Sequence, residues 1–340
     1  MIPFALAGCG PPGRQESRQP ATNRGGVPDI VSIGECMVEF FCDGPMARAS
    51  SFTRAFGGDT LNLLVAAARL GCRCAYITRI GDDPFAPGLV EAFQREGIDI
   101  THAPVVDGFN GIYFISLLEG GEREFTYYRA GSAASRLGPD DIDAGCIASA
   151  QIVHSSGITQ ALSPSCRAAV KRAFETARQA GVRTSFDPNL RLKLCDLEQA
   201  RAAFTEVLPL VDVILPSAVE MHQLIGIEDP EQAASYFHDR GVKIVAIKLG
   251  KQGCLVSDGQ SMTRVPAHRP PMTVDSTGAG DAFGGGFLAG LCRGESPGNA
   301  ASIGLVTAGL KLRGRGAVAS LPKLAEVRRH LPWLAQTGLE

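Results

Sequence analysis

Residues 275–287 read Asp-Ser-Thr-Gly-Ala-Gly-Asp-Ala-Phe-Gly-Gly-Gly-Phe, a polar, glycine-rich turn that leads into a helix of small residues. Backbone N–H groups at the start of a helix are unpaired and carry the positive end of the helix dipole, so Gly278, Ala279 and Gly280 can cradle a phosphate. A carboxylate in that first turn, Asp281, would lie beside the phosphate and could accept a proton from an attacking hydroxyl. The stretch predicts a site for phosphoryl transfer; the structural alternative is a helix entry that Asp281 caps.

Upstream of this stretch, short apolar runs alternate with helical stretches. The apolar runs lie at residues 30–34, 75–81, 151–156, 183–187, 211–215 and 243–248, and the helical stretches at 62–70, 163–180 and 231–240. This alternation predicts an α/β fold, in which a mostly parallel sheet is buried under helices on both faces. Ligands of such folds bind outside the carboxyl ends of the strands.

Two segments, 36–57 and 108–130, interrupt the alternation. In the second, the runs Gly111–Leu118 and Arg123–Arg129 flank Glu119-Gly-Gly121, which is typical of a β-hairpin. Strands without intervening helices cannot easily join a parallel sheet. We therefore expect both segments to form a small β lid beside the active site.

Composition excludes several classes of protein. The 340 residues carry a net charge of −2 without a long basic run, so the footprint of a nucleic-acid binder is missing and small-molecule partners are expected. The ten cysteines form no Cys-x-x-Cys pair and the six histidines are dispersed, which argues against disulfides and a zinc site. There is no Walker motif and no G-x-G-x-x-G after a strand.

The first 28 residues are expected to lie outside the folded domain, which we place at 29–330. They are rich in Gly, Pro, Arg and Gln and are interpreted as a disordered leader. The apolar start is too short for a secretion signal, and no uninterrupted apolar stretch reaches the ~20 residues of a membrane helix. The chain is therefore expected to be cytoplasmic.

Two motifs near opposite ends of the chain resemble those of the ribokinase-like, or PfkB-type, carbohydrate kinases. The stretch 275–281 is similar to the family's C-terminal signature, and Phe56-Gly-Gly-Asp-Thr-Leu-Asn62 resembles its N-terminal Gly-Gly…Asn motif. The resemblance covers residues 29–325 and implies a three-layer α/β/α core with a β lid, ATP and Mg²⁺ as cofactors, and a homo-oligomer formed through the lid. It also implies Asp281 as catalytic base, Gly278–Gly280 as anion hole, and Gly58, Asp59 and Asn62 as sugar contacts. Without the resemblance, Gly57-Gly58 is a turn and Asn62 a helix cap.

The same resemblance identifies candidate nucleotide contacts. Lys248-Leu-Gly-Lys-Gln-Gly253 follows a buried strand where the family binds ATP, with Lys248, Gly250 and Gly253 as candidates, although a glycine turn between two strands is the plain alternative. Ser217-Ala-Val-Glu220 occupies the place of the family's Asn-x-x-Glu, whose acid organises Mg²⁺ through water, and here Ser replaces Asn. Asp275 is a candidate ligand for a monovalent cation such as K⁺.

Within the family, residues 123–134 and 186–191 look most like 2-keto-3-deoxygluconate kinases. Arginine forms a planar pair with a carboxylate, so Arg129 and Arg191 are candidate ligands of an acid sugar, with Tyr113 and Tyr127 lining the pocket. The alternative is that the tyrosines are β-forming residues of the lid and Arg129 a solvated edge residue. Fructokinases share the segment around Arg191.

The resemblance leaves three functions to compare. The first is ATP-dependent phosphorylation of 2-keto-3-deoxygluconate to the 6-phosphate, and the second is a fructokinase or another PfkB sugar kinase. A non-catalytic nucleotide or sugar sensor on the same fold is the alternative of another class. A dehydrogenase is a more distant alternative because its glycine fingerprint is missing.

Overall fold

The computed structural model describes residues 27–118 and 123–335. The predicted leader up to residue 26, and the turn residues 119–122 of the predicted hairpin, lie outside the described residues. In chain order the strands are β1 (Ile30–Ile33), β2 (Met37–Asp43), β3 (Thr53–Gly57), β4 (Cys74–Ile77), β5 (Ile80–Gly81), β6 (Ile98–Asp99), β7 (Val105–Val106), β8 (Gly111–Leu117), β9 (Arg123–Tyr128), β10 (Ile152–Ser156), β11 (Arg183–Asp187), β12 (Val213–Ile214), β13 (Ile244–Lys248), β14 (Cys254–Ser257) and β15 (Met262–Val265). The helices are α1 (Asp59–Arg69), α2 (Ala86–Arg95), α3 (Ala144–Ser149), α4 (Gly157–Leu162), α5 (Pro164–Gln179), α6 (Leu197–Val207), α7 (Ala218–Ile225), α8 (Pro230–His238), α9 (Ala279–Cys292), α10 (Pro297–Lys311) and α11 (Leu324–His330).

The main sheet confirms the predicted mostly parallel α/β core. Its nine strands run in the order β15-β14-β13-β12-β11-β10-β1-β4-β6, and only β14 and β15 at one edge pair antiparallel. Every residue of β1 is buried because helices cover both faces of the sheet. Ile30 packs into the apolar cluster beneath α1, α9 and α10, whereas Val31 packs into the cluster beneath α5, α6 and α8.

Helix α9 packs closely between α1 and α10 because its central residues are glycines. A Cβ atom on Gly285 would lie 2.4 Å from the backbone oxygen of Leu63 in α1, and one on Gly286 would lie 2.8 Å from Gly304 Cα in α10. A larger residue at either position would force the helices apart. The triple glycine of the 275–287 stretch therefore brings the start of α9 next to the start of α1.

A second, small sheet is formed by the two segments that the sequence predicts as a lid. Its four strands run in the order β3-β2-β8-β9, and all four come from the segments 36–57 and 108–130. The β8–β9 pair is antiparallel, as expected of a hairpin, whereas β2 and β8 are parallel. Phe40 and Phe114 stack across this pair with ring centroids 5.5 Å apart. Association of two chains through the lid stays a prediction.

None of the helices within the described residues is both long and apolar enough to cross a lipid bilayer.

Candidate active site

A cleft of 830 Å³ lies beside the start of α9. Its lining combines residues that follow β13 with residues from the first turns of α7 and α9. Most residues predicted to bind a nucleotide or phosphate meet there, namely Ser217, Glu220, Lys248, Gly250, Gly253, Gly278, Ala279, Gly280 and Asp281, together with Arg191. The cleft also has an apolar end, formed by Leu305, Ala308 and Leu312.

The start of α9 presents unpaired N–H groups to this cleft. Gly278 caps the helix in the left-handed conformation, with φ of 73°, which glycine adopts without strain. Among the described residues, the backbone N–H groups of Gly278, Gly280 and Asp281 have no hydrogen-bond acceptor. The N–H group of Ala279, which was also predicted to bind phosphate, instead donates to the Ser276 oxygen at 3.2 Å. The N–H group of Asp281 is free in its place.

Asp281 is held in place by a residue of the N-terminal motif. The side-chain amide of Asn62 donates to Asp281 Oδ2 at 2.8 Å, and within the described chain Oδ1 accepts no hydrogen bond. Burial, followed by the charge of Asp59, raises the pKa of Asp281 to about 7, although the hydrogen bond from Asn62 opposes this shift. Asp281 can therefore hold or release a proton near neutral pH.

A buried ion pair lies next to the unpaired N–H groups. Lys248, at the end of β13, places its Nζ 2.6 Å from Asp187 Oδ2 at the end of β11. A Cβ atom on Gly280 would lie 3.7 Å from the same Nζ, so the ammonium group borders the start of α9. Burial raises the pKa of Asp187 to about 6 despite the charge of Lys248. The sequence predicted no role for Asp187, although this residue belongs to the segment 186–191 that resembles 2-keto-3-deoxygluconate kinases.

Four buried polar atoms that have no hydrogen-bond partner among the described residues mark a second part of the candidate site. These atoms are Asp59 Oδ1, Asn62 Oδ1, Glu35 Oε2 and Arg129 Nε. The residues are linked to one another: Arg129 forms a buried ion pair with Glu35, and the charges of Glu35 and Asp59 interact. A buried polar group without a partner is costly, so these atoms indicate where a polar ligand binds.

Glu35 and Asn189 are site residues that the sequence analysis did not assign. Burial raises the pKa of Glu35 to about 7, against the effect of the Arg129 charge. Asn189 has a positive φ of 36° and donates from its amide to Asp59 Oδ2 at 3.3 Å. The run Asp187-Pro-Asn189 could have indicated Asn189, because Asn tolerates a left-handed backbone better than most residues.

The two predicted carboxylate ligands lie near Tyr127. The Arg129 guanidinium lies 4.5 Å from the Tyr127 ring centre, and burial raises the pKa of Tyr127 while the charges of Arg129 and Arg191 oppose the rise. Arg191 is exposed and lines the cleft, whereas Arg129 is buried and already paired with Glu35. Tyr113 stacks on Tyr127, with ring centroids 5.8 Å apart, and its hydroxyl donates to Glu39, so it supports Tyr127.

The remaining candidates, Glu220, Gly250 and Gly253, also line the cleft. Both carboxylate oxygens of Glu220 accept backbone N–H groups, Oε1 from Leu190 at 3.0 Å and Oε2 from Ser217 at 2.7 Å. The described residues contain no cluster of three or more His, Cys, Asp or Glu that could hold a metal ion by themselves. Gly250 and Gly253 both have positive φ values, 58° and 97°, in the turn after β13.

Asp275 lies behind the turn and does not line the cleft. It is buried, and its carboxylate pairs with Arg123 of the lid strand β9 and lies 3.6 Å from the ammonium group of Lys311. Burial works against ionisation, but the Thr277 N–H group and the Lys311 charge keep the pKa of Asp275 below its usual value. This aspartate is therefore ionised and surrounded by groups of the chain itself.

Comparison with known proteins gives consistent matches over nearly the whole chain. The sequence profile of the pfkB family of carbohydrate kinases matches residues 27–324. A 2-dehydro-3-deoxygluconokinase of Thermoproteus tenax is 37% identical over 310 residues, which cover 89% of this chain and 94% of that protein. Fructokinase-2 of Solanum habrochaites is 35% identical over 272 residues, 76% of this chain and 80% of that protein. A ribokinase II from E. coli, solved in complex with ATP and Mg²⁺, superposes with a TM-score of 0.83 at 27% identity and covers 90% of this chain and 99% of that one.

Proposed function

This chain belongs to the pfkB family of carbohydrate kinases, and from that premise we propose that it transfers the γ-phosphate of ATP to the 6-hydroxyl of 2-keto-3-deoxygluconate. The name 2-keto-3-deoxygluconate denotes the same compound as 2-dehydro-3-deoxygluconate. The observation that carries the choice of substrate is that Arg129 contacts Tyr127 and the charge of Arg191 also acts on Tyr127, next to buried acceptors that lack donors within the described residues.

Asp281 is the proposed general base. With Asn62 fixing Oδ2, the free Oδ1 can accept the proton of the 6-hydroxyl as its oxygen attacks phosphorus. The bond between that oxygen and the γ-phosphorus forms while the bond to the β-phosphate oxygen breaks, and ADP leaves. A base with a pKa near neutral is well suited to this step, because it is available as carboxylate yet holds the proton once it arrives.

The start of α9 is the proposed anion hole. The free N–H groups of Gly278, Gly280 and Asp281 can donate to the oxygens of the transferring phosphoryl group, where negative charge is concentrated. Lys248 borders the same place and adds a positive charge that Asp187 holds in position. The apolar end of the cleft, with Leu305 and Leu312, suits the nucleotide base.

Glu220 fits a magnesium ion that is held mostly by phosphate and water. Mg²⁺ keeps several of its water ligands in proteins and, when bound, would offset the charge of the β- and γ-phosphates. Glu220 lines the cleft, and each of its oxygens has a second lone pair beyond the backbone N–H group that it accepts, so it could hold a metal-bound water. Its engagement with Leu190 and Ser217 fixes the carboxylate in one orientation.

The unpartnered atoms around Asp59 suit a polyhydroxylated acid. Asp59 Oδ1, Asn62 Oδ1 and Glu35 Oε2 are acceptors that hydroxyl groups can satisfy, and Arg129 Nε is a donor that a carboxylate or keto oxygen can satisfy. The Arg191 guanidinium is free to form the planar pair with the carboxylate, because its only hydrogen bond within the described residues is to the neighbouring Leu190 oxygen.

A fructokinase is the second candidate, and one observation favours it. The charge of Arg129 is already balanced by Glu35, so a single arginine remains for an acid group. ADP release from a panel that contains 2-keto-3-deoxygluconate, 2-keto-3-deoxygalactonate, fructose and ribose separates the candidates. We expect the keto-deoxy acids to give the highest kcat/KM. Equal or faster use of fructose would refute the acid substrate, and binding of ATP and sugar without ADP release would favour the sensor.

A further inference from the structure

Asp275 accepts hydrogen bonds from several donors of the chain itself. Its Oδ1 accepts from the Thr277 N–H group and hydroxyl, both at 2.8 Å, and from Arg123 Nη1 at 2.6 Å. Its Oδ2 accepts from the Gly316 N–H group at 2.9 Å, and its backbone oxygen accepts from Lys311 Nζ at 2.8 Å. Every one of these neighbours is a donor.

This environment does not fit the monovalent cation for which Asp275 is a candidate ligand. A cation such as K⁺ is held by oxygen atoms that replace its hydration shell. Here the backbone oxygen of Asp275 is occupied by an ammonium group, and the carboxylate is occupied by a guanidinium, a hydroxyl and two amides. A second cation at this position would meet the positive charges of Lys311 and Arg123.

Lys311 is a fully buried lysine, which is unusual for a charged residue. It is the last residue of α10 and its side chain is 0% exposed. A buried ammonium group is costly unless it is paired, and the partners here are Asp275 and, through its charge, the buried Glu39. The C-terminal end of α10 adds the negative end of a helix dipole, which favours a cation there.

We propose that the ammonium group of Lys311 takes the place of a monovalent cation at Asp275, so that the enzyme carries its own cation and Lys311 is a positioning residue for catalysis. Asp275 is the first residue of the turn that ends at Gly278, where α9 begins. By holding the Asp275 oxygen, Lys311 fixes that turn, and the turn sets the direction of the N–H groups of Gly278 and Gly280. Two anions, Asp275 and Glu39, then balance two cations, Lys311 and Arg123.

The first test uses the unmodified enzyme. ADP release with an accepted sugar is measured in tetramethylammonium chloride and in KCl or NH₄Cl at equal ionic strength. The expected result is a rate that changes by less than about twofold, because an added ion cannot bind where the ammonium group of Lys311 already lies. A saturable activation by K⁺ of about tenfold or more would overturn the proposal without further mutagenesis.

The second test removes the ammonium group. In tetramethylammonium chloride, Lys311→Ala should lose turnover by on the order of a hundredfold, the effect of misplacing a catalytic group by about 1 Å. NH₄Cl or KCl should restore part of the loss, whereas Lys311→Met should not respond because its side chain fills the space. Lys171→Ala, at a half-exposed lysine of α5 that pairs with Glu206, is the matched control and should resemble the wild type in every salt. Full turnover of Lys311→Ala without added cation would refute the role of Lys311 as a positioning residue.

A third measurement does not depend on catalysis. The melting temperature of Lys311→Ala should rise in KCl or NH₄Cl relative to tetramethylammonium chloride, since an ion that binds only the folded state stabilises it, and the wild type should show no such difference. The effect on turnover rests on the proposed anion hole, but this difference in melting temperature does not. A cation-dependent melting temperature with normal turnover would therefore keep Lys311 as the substitute cation but refute its effect on the anion hole. The absence of cation dependence in both readouts would refute the whole proposal.

Discussion

The side-chain amide of Asn62 donates a hydrogen bond to Oδ2 of Asp281 over 2.8 Å, although the two residues are 219 positions apart in the chain. Both lie in the first turn of a helix, Asn62 in α1 and Asp281 in α9. The glycines of α9 let the helices approach closely enough for this contact. The two sequence motifs are therefore two halves of one site, and a change in either should alter the chemistry of Asp281.

We expect Asp281→Asn to lower kcat by about 10² to 10⁴, the usual cost of losing a general base, while ATP still binds. Asparagine keeps the size of the side chain and can still accept a hydrogen bond from Asn62, so the fold should survive. Turnover and ATP binding are measured side by side, with Asp239→Asn, an exposed position at the end of α8, as the control. Near-normal turnover in a folded Asp281→Asn protein would remove Asp281 from the mechanism.

The activity should depend on pH through Asp281. Its pKa is raised to about 7, so the carboxylate is lost as the pH falls below that value, and kcat/KM should fall about tenfold per pH unit there. The hydrogen bond from Asn62 lowers this pKa, so Asn62→Ala should move the acid limb to higher pH.

The shift in Asn62→Ala identifies the group that titrates. Glu35 also has a pKa raised to about 7, but it forms no hydrogen bond with Asn62. An acid limb that stays in place in Asn62→Ala, and disappears instead in Glu35→Gln, would assign the limb to Glu35.

Much of the core was predictable because it depends on local patterns. The apolar run 183–187 coincides with β11, and the helical stretch 163–180 differs from α5 by one residue at each end. The predicted strand 211–215 is only Val213–Ile214, because the Val211 N–H group closes a turn onto the Leu208 oxygen instead of joining the sheet. A turn of this kind competes with the strand and cannot be predicted from the pattern of apolar residues.

The site was only partly predictable because it depends on contacts between distant segments. The candidate phosphate site at 275–281 could be predicted from local sequence, since its glycines and its carboxylate lie together at the start of one helix. Glu35 follows a buried strand and is separated by 94 positions from its partner Arg129, so no local spacing connects them. Lys311 likewise looks like an ordinary helix-ending lysine until the fold places it against Asp275.

Arg191 offers the cleaner test of the acid substrate. It is exposed and pairs with no carboxylate in the described part of the chain, so Arg191→Ala should change the free energy of unfolding by less than about 0.5 kcal/mol. A charge-assisted hydrogen bond is worth about 1.5 to 3 kcal/mol, so kcat/KM for the keto-deoxy acid should fall about ten- to a hundredfold, and that for fructose much less. Arg191→Lys should restore little because a point charge lacks the planar fork. Arg183→Ala, at the opposite end of β11, is the control; equal losses for both sugars would refute the role of Arg191.

Arg129 should behave differently because its partner is buried. Arg129→Ala leaves the Glu35 carboxyl without its counter-ion, and breaking a buried pair costs on the order of 3 to 5 kcal/mol. Part of that loss should be recovered in the double variant Arg129→Met with Glu35→Gln, which removes both charges. If Arg129→Ala is as stable as the wild type, the pair does not hold the lid strand in place. If the kcat/KM of Arg129→Ala for the keto-deoxy acid equals that of the wild type, Arg129 is not a substrate ligand.

The lid should close over the substrate, because phosphoryl transfer in contact with water risks hydrolysis of ATP. Its strand β9 is attached to the turn before α9 through Arg123, which donates to Asp275, Ser276 and Thr277. Hydrogen exchange in β2, β3, β8 and β9 should slow when ATP and the sugar acid are added together. Arg123→Ala should weaken this protection and raise sugar-independent ATP hydrolysis, whereas Arg48→Ala, an exposed arginine between β2 and β3, should do neither. An exchange pattern that substrate leaves unchanged in the wild type would mean that the lid is a rigid wall of the site, and the contact of Arg123 with Asp275 would then be structural.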